Sequence, residues 1–296
     1  MRGRGLTNMG ARASGWWDGT WNPVGGCSVV SSGCRNCYAA KLSATQQTAH
    51  RIALYENTTD WVRGKPVFNG ELSVLPPEHS GWTWPLTWPG AKYPLLGDGE
   101  PSLIFVGDMS DLFHEDRPQT IIDEVTATLA ASPHIGMLLT KRADRMAEHF
   151  SAPRNKANRQ RWQPRMWLGF SAERQREFDD RWSQMRQLAA SGWTVFASVG
   201  PMLAPVRLPQ DFLDYGERIW CICSGEQGRG ARPMDPNWAR ALRDQCAEAG
   251  VPFFMLQMAG RKPIPADLFV RQFPRAGKPP GHQPEPAFLE VRDASA

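Results

Sequence analysis

Apolar positions along the chain fall into short runs, separated by longer stretches with helical spacing. Runs rich in β-branched and aromatic residues predict strands at 16–21, 71–75, 102–106, 135–139, 166–170, 194–199, 219–223 and 252–256. Apolar residues recurring every three to four positions predict helices at 37–50, 120–131, 143–150, 174–190 and 236–249. Glycine follows two of these helices, as Ala249-Gly250 and Ser191-Gly192, where the backbone must turn out of the helix. Asp235-Pro236 sets a capping carboxylate before a proline at the first helical position. Strands that alternate with helices pair in parallel. About eight of them predict an α/β fold built as a (β/α) barrel, complete or partial.

Three stretches break the rhythm. Residues 76–101, with Trp82, Trp84 and Trp88 among prolines and glycines, read as a long loop whose indoles pack over the barrel end or form a stacking platform. Residues 151–165 carry Arg154, Lys156, Arg159, Arg161 and Arg165 around Trp162, with no acid. Residues 261–296 are polar and proline-rich. The expected organisation is a flexible arm at 1–15, one barrel domain at 16–260 and a loosely attached tail at 261–296.

The barrel pattern directs attention to the residues just after each strand, because chemistry gathers at the C-terminal strand ends of such folds. A cysteine loop comes after the first strand. Then come Asp108, Asp111 and His114 after 102–106, Lys141 and Arg142 after 135–139, and Ser171 and Glu173 after 166–170. Ser198 and Gly200 end 194–199, and Ser224-Gly225-Glu226 comes after 219–223. Asp108, Asp111, His114, Lys141, Arg142 and Glu173 are therefore the candidate catalytic residues. Plainer readings exist for several of these stretches: helix capping by Asp108 or Ser110, a solvated helix start for Lys141 and Arg142, and a strand-to-helix loop for Ser224–Gly228. Two cations at a helix start oppose the helix dipole, which favours a ligand-binding role for them. The basic stretch with Trp162 could contact a nucleic-acid backbone and stack on a base, or be an exposed loop.

Composition narrows the setting. The chain has 296 residues and a net charge of +4, mildly basic and compatible with an anionic partner. No run approaches the ~20 apolar residues of a membrane span, and the N-terminus lacks the apolar core of a signal peptide. A cytoplasmic location is expected, where six cysteines are not a disulfide framework. Three of the six, Cys27, Cys34 and Cys37, stand in a C-x6-C-x2-C run with glycines beside two of them. Three thiolates on one loop can hold three corners of an iron–sulfur cube and leave the fourth iron open. Zinc, which takes four protein ligands, would need His50 or His114 from a distance. Cys221, Cys223 and Cys246 read as core residues.

Thr20-Trp21-Asn22-Pro23 before Cys27, Gly33-Cys34 and Cys37-Tyr38-Ala39 resemble a phage- and prophage-associated family of uncharacterised three-cysteine proteins, generally described as radical-SAM-like. The resemblance continues in order. It runs through Val106–His114, Leu139-Thr140-Lys141-Arg142, Leu168-Gly169-Phe170-Ser171, Ser224-Gly225-Glu226-Gln227, Ala231-Arg232-Pro233-Met234 and Ala249–Phe254, and spans about residues 16–260. Two departures stand out. Radical-SAM enzymes usually space their cysteines C-x3-C-x2-C with an aromatic before the last, whereas here Asn36 precedes Cys37 and Tyr38 follows it. Relatives often carry a glutamate where this chain has Gly200.

The resemblance implies a [4Fe–4S] cluster on Cys27, Cys34 and Cys37, with S-adenosylmethionine on the open iron. Tyr38, Ser171, Ser198, Ser224, Gly225 and Glu226 are the expected cofactor-binding residues. One-electron reduction by a flavodoxin or ferredoxin would yield a 5′-deoxyadenosyl radical that abstracts hydrogen from the substrate. The expected substrate is a nucleic acid or nucleotide, for base modification or repair, held in part by Arg154, Lys156, Arg159, Arg161, Trp162 and Arg165. A non-enzymatic nucleic-acid-binding protein with a structural zinc or cluster, and a cluster enzyme that never uses S-adenosylmethionine, are the competing readings.

Overall fold

The sheet is built from seven parallel strands taken almost entirely in sequence order. The computed structural model describes residues 15–228 and 230–274. Its strands are β1 (Gly19–Trp21), β2 (Val24–Gly25), β3 (Thr59–Val62), β4 (Lys65–Phe68), β5 (Ser73–Val74), β6 (Leu103–Val106), β7 (Ile135–Thr140), β8 (Met166–Ala172), β9 (Thr194–Val199), β10 (Ile219–Ser224) and β11 (Phe253–Gln257). The longer helices are α1 (Tyr38–His50), α2 (Gln119–Ala131), α3 (Ala143–Ser151), α4 (Gln175–Ala190) and α5 (Pro236–Ala249). The main sheet runs β1-β6-β7-β8-β9-β10-β11.

Because consecutive parallel strands are neighbours, every crossover turns the same way and sets its helix on the same face. Ile122, Val125 and Leu129 of α2, Phe150 of α3, Trp182 of α4 and Leu242 of α5 share one core with the outward strand residues. Those include Val106, Leu138, Leu168, Ala197, Cys221 and Cys223. Alternate residues point the other way. There Trp16, Trp17, Phe105, Met137, Trp167, Phe196, Trp220 and Phe254 meet in a second core without the long helices. A sheet covered by helices on one face and filled by its own rings on the other is a curled, partial (β/α) barrel. Gly169 makes room inside: a Cβ there would lie 2.2 Å from the Phe196 ring.

The barrel has one strand fewer than the apolar runs predict. The 71–75 run forms only β5, which pairs antiparallel with β2 outside the main sheet. It lies in the chain between β1 and β6, which pair directly with each other and leave no place for it in the main sheet. A β3–β4 hairpin, unpredicted, occupies the same connection. The Trp82–Trp88 segment does not cap the barrel end. Trp84 and Trp88 stack at 4.8 Å and pack with buried Trp82 on the helix-side core beside Gly19.

Part of the predicted tail belongs to the domain. Leu268 is fully buried, and residues 270–272 run antiparallel beside β11. There Met255 N–H donates to the Val270 carbonyl at 2.8 Å, and Gln272 N–H to Phe253 at 2.9 Å. Residues 275–296 of the tail and 1–14 of the arm lie outside the described residues. No helix among the described residues is long and apolar enough to cross a membrane.

Candidate active site

The cysteine loop leaves the C-terminal end of β1 and folds over the mouth of the barrel. Its entry is fixed by Gly26, whose φ of +83° suits glycine and whose Cβ would lie 2.0 Å from the Glu71 carbonyl. Gly26 also bridges to Ser110 after β6, so the loop is pinned to a neighbouring strand end at once. Cys34 sits in a short 3-10 turn, Ser32–Asn36, and Cys37 caps α1.

Cys27, Cys34 and Cys37 border one cavity of about 130 Å³. Its other walls include Tyr38, Phe68, Phe105, Gly107, Asp108, Ser110, Asp111, Thr140, Lys141, Arg142 and Ser171. Among the described residues no three His, Cys, Asp or Glu side chains converge on one ion-sized point. The thiols surround a space instead.

Two buried carboxylates hold the cysteine turn from opposite sides. Glu173, at the end of β8, is wholly buried. It accepts from Ser31 Oγ at 2.7 Å, pairs with Lys141 Nζ, and takes Arg181 Nη1 at 3.4 Å. Lys141 Nζ also donates to Ser31 Oγ at 2.8 Å. The turn sits so close that a Cβ on Gly33 would lie 2.1 Å from Glu173 Oε1. On the other side, Glu226 accepts from Asn36 Nδ2 at 2.8 Å and from the Arg232 backbone at 2.8 Å, and its carboxylate pairs with the Arg232 guanidinium. Burial opposes ionisation of both acids. The cations and hydrogen bonds around them prevail, Lys141 for Glu173 and Arg232 for Glu226, and hold both below the usual glutamate range. Glu173 and Glu226 are thus both engaged by the cysteine turn and by cations.

A second network secures the first cysteine. Arg142 donates to Asp111 Oδ2 at 3.1 Å, to Ser28 Oγ at 2.5 Å, to Glu115 Oε2 at 2.7 Å and to Cys27 Sγ at 3.4 Å. Asp111 is spent on structure. It accepts from Thr140 Oγ1 at 2.7 Å and Phe113 N–H at 3.0 Å as well. His114 is buried, accepts from Asp116 N–H through Nδ1 at 3.2 Å and meets Ser28 Oγ through Nε2 at 2.8 Å. Burial and Arg142 lower its pKa, so it is neutral at pH 7. Asp111, Arg142 and His114 are thus brought together around Ser28 and Cys27, and Asp111 and Arg142 also line the cavity.

The unspent groups are few. Asp108 lines the cavity, takes one hydrogen bond from Asn22 at 2.8 Å, and has its pKa raised by burial. Ser110 Oγ is buried on the cavity wall without a partner. Ser171 and Ser198 are paired in register on the inner face, and Ser224 lies 2.2 Å from where a Gly200 Cβ would be. Gly225 passes Ala259 closely, its Cβ position 2.2 Å from Ala259 N. Sequence reasoning missed Ser31, Asn36 and Ser110. Their signal was adjacency alone, between or beside residues already singled out.

The thiols differ. Burial, with Asp111 nearby, pushes Cys27 up to about 12, and burial also raises Cys37. For Cys34 burial is outweighed by Lys141 and hydrogen bonds from Val30 and Ser31, which lower it.

The basic 151–165 stretch lies elsewhere. It leads into the start of β8, at the opposite end of the sheet from the cysteine loop. Trp162 is buried, parallel to His149 at 6.0 Å and edge-on to Phe150, and offers no face to a base. Arg154 reaches Asp123 at 4.0 Å, and Arg165 donates to the Pro133 carbonyl at 2.8 Å. Lys156 and Arg161 are exposed and Arg159 half-buried at that same far end.

The family model DUF5131, a protein of unknown function, matches residues 13–275. The chain belongs to DUF5131. No curated protein matches it in sequence. This DUF5131 chain is similar to a double mutant of spore photoproduct lyase with bound AdoMet and dinucleoside spore photoproduct, at 13% identity and a TM-score of 0.44, over 82% of this chain and 77% of that one. A single-mutant structure of spore photoproduct lyase is similar at 13% identity and a TM-score of 0.35, over 54% and 62% of the two chains.

Proposed function

We propose that the protein is a radical-SAM-like iron–sulfur enzyme acting on a nucleic acid or nucleotide. One observation carries the reading. Cys27, Cys34 and Cys37 border a single cavity at the C-terminal mouth of a partial barrel, lined also by Asp108, whose Oδ1 alone is taken by Asn22, and by the unpartnered Ser110 Oγ.

The residues fit the group. Soft thiol donors placed around a space suit a multi-atom cluster, whereas a lone zinc needs four ligands converging on a point. Cys27, Cys34 and Cys37 would hold the cluster, and Ser110, Ser171 and Tyr38 face the space an S-adenosylmethionine would share. When bound, the pair supplies one-electron cleavage chemistry and hydrogen abstraction. The chain's own part is positioning. Glu173 with Lys141 and Ser31, and Glu226 with Asn36, fix the cysteine turn. Arg142 places its guanidinium against Cys27 Sγ, where its charge offsets part of the burial that raises this thiol. Asp108, raised by burial, can hold a proton at Oδ2, the oxygen that Asn22 does not engage. Phe105 and the rings beneath it exclude water from below.

The test is anaerobic reconstitution with iron and sulfide, followed by EPR of the reduced protein. The expected result is a cluster signal that shifts on adding S-adenosylmethionine and vanishes in Cys34→Ala. A signal indifferent to S-adenosylmethionine overturns the cofactor assignment, and zinc without a cluster overturns the enzyme reading.

A further inference from the structure

A second concavity adjoins the cysteine turn and is built by three separate elements. Lys41, Ala44, Thr45 and Thr48 share one face of α1, by their three- and four-residue spacing. Trp61, Gly64, Lys65 and Pro66 of the β3–β4 hairpin form the facing wall, and Gly228 and Gly230 after β10 complete it. The groove encloses about 740 Å³ and is open to solvent.

Its chemistry is one-sided. Two lysines line it, and no carboxylate among the described residues does. Trp61 is 67% exposed, although large rings are normally buried. The hairpin that carries it is anchored firmly. Thr58 and Ser43 share a buried hydrogen bond of 2.9 Å between hairpin and α1, and Thr58 Oγ1 also donates to the Tyr55 carbonyl at 2.9 Å. The tip is a two-residue turn with Arg63 at φ +49° and Gly64 at φ +73°, the geometry that matches strand twist. An exposed Trp on a rigid support presents a flat ring at little conformational cost. The groove also touches the candidate active site, because Lys65 Nζ donates to Asn36 Oδ1 at 2.6 Å and Asn36 lies between Cys34 and Cys37.

We infer that this groove, and not the basic 151–165 stretch, holds a single-stranded nucleic-acid segment. The backbone phosphates lie against Lys41 and Lys65, and one base stacks on Trp61. The glycines at 228 and 230 leave room for a strand to pass close to the backbone. The inference rests on the nucleic-acid reading of the active site and names the surface that would deliver the strand to it.

The experiment is fluorescence anisotropy of labelled fifteen-nucleotide oligo-dT and oligo-U with cluster-reconstituted protein, across a salt series. Trp61→Ala is expected to weaken binding at least about fivefold, with Trp61→Phe retaining most of it. Lys41→Glu should lower the salt slope by about one. The paired variant Lys156→Glu with Arg161→Glu, at the far end, should leave binding as it is. Comparison of the two oligonucleotides separates DNA from RNA as the source of the strand. Unchanged binding in Trp61→Ala and Lys41→Glu, or loss confined to the far-end variant, overturns the inference. Binding needs no turnover. Retained binding without S-adenosylmethionine cleavage therefore sinks the enzyme reading alone, whereas cleavage with Trp61-independent binding sinks this one alone.

Discussion

At the scale of single residues, the candidate site is governed by two buried glutamates that never touch the cavity they serve. Glu173 compensates Lys141 and Arg181, both largely buried, so deleting its charge strands two cations. Glu173→Leu is expected to cost about 3–5 kcal/mol, read as a lower urea midpoint with an unchanged slope. Acid should act through the same group. Its folded pKa lies below the ordinary 4.5, so its contribution is complete above that value and is lost as pH falls through the folded one. Glu173→Gln should therefore flatten the acid limb of the stability profile. Asp108 works with the opposite sign, since its raised pKa favours the folded state as pH falls. A titration of urea midpoints from pH 7 to 3 checks both directions.

At the scale of elements, the cysteine loop depends on the backbone that launches it. Gly26→Ala combines an unfavourable φ with a Cβ driven into the Glu71 carbonyl, a backbone atom that cannot rotate aside. A loss of about 2–4 kcal/mol is expected, together with poor iron incorporation, measured by thermal unfolding and iron content. The helices and the parallel strands are legible in the sequence through their apolar spacing, and α4 and α5 also through the glycine that follows each. The 71–75 run failed because alternation fixes which face a residue takes, and not which strand it pairs with. The hairpin at 59–68 was signalled by two β-prone runs flanking Arg63-Gly64, but Pro66 masked it. The site was legible only in part for a related reason. Strand-end positions reveal that Asp111, Arg142, Glu173 and Glu226 gather at the mouth, but whether a carboxylate is free or spent depends on partners distant in sequence. Asn36 and Glu226 are 190 residues apart. Trp162 misled because a tryptophan among arginines looks the same in sequence whether its ring faces out or in.

At the scale of the whole molecule, a partial barrel has to manage two open edges. The β11 edge is covered by residues 270–272, and Trp220 Nε1 donates to the Gln272 carbonyl at 2.8 Å, tying that cover into the inner core. A chain ending at Leu268 is expected to expose an unpaired strand and self-associate, seen by light scattering, while one ending at 274 stays monodisperse. The inner core has a further consequence. Because Trp16, Trp17, Trp167 and Trp220 fill the lower lumen, the cavity above them is closed on that side. For the reaction proposed above, whatever the cavity receives and releases would pass on the cysteine-loop side, away from these rings.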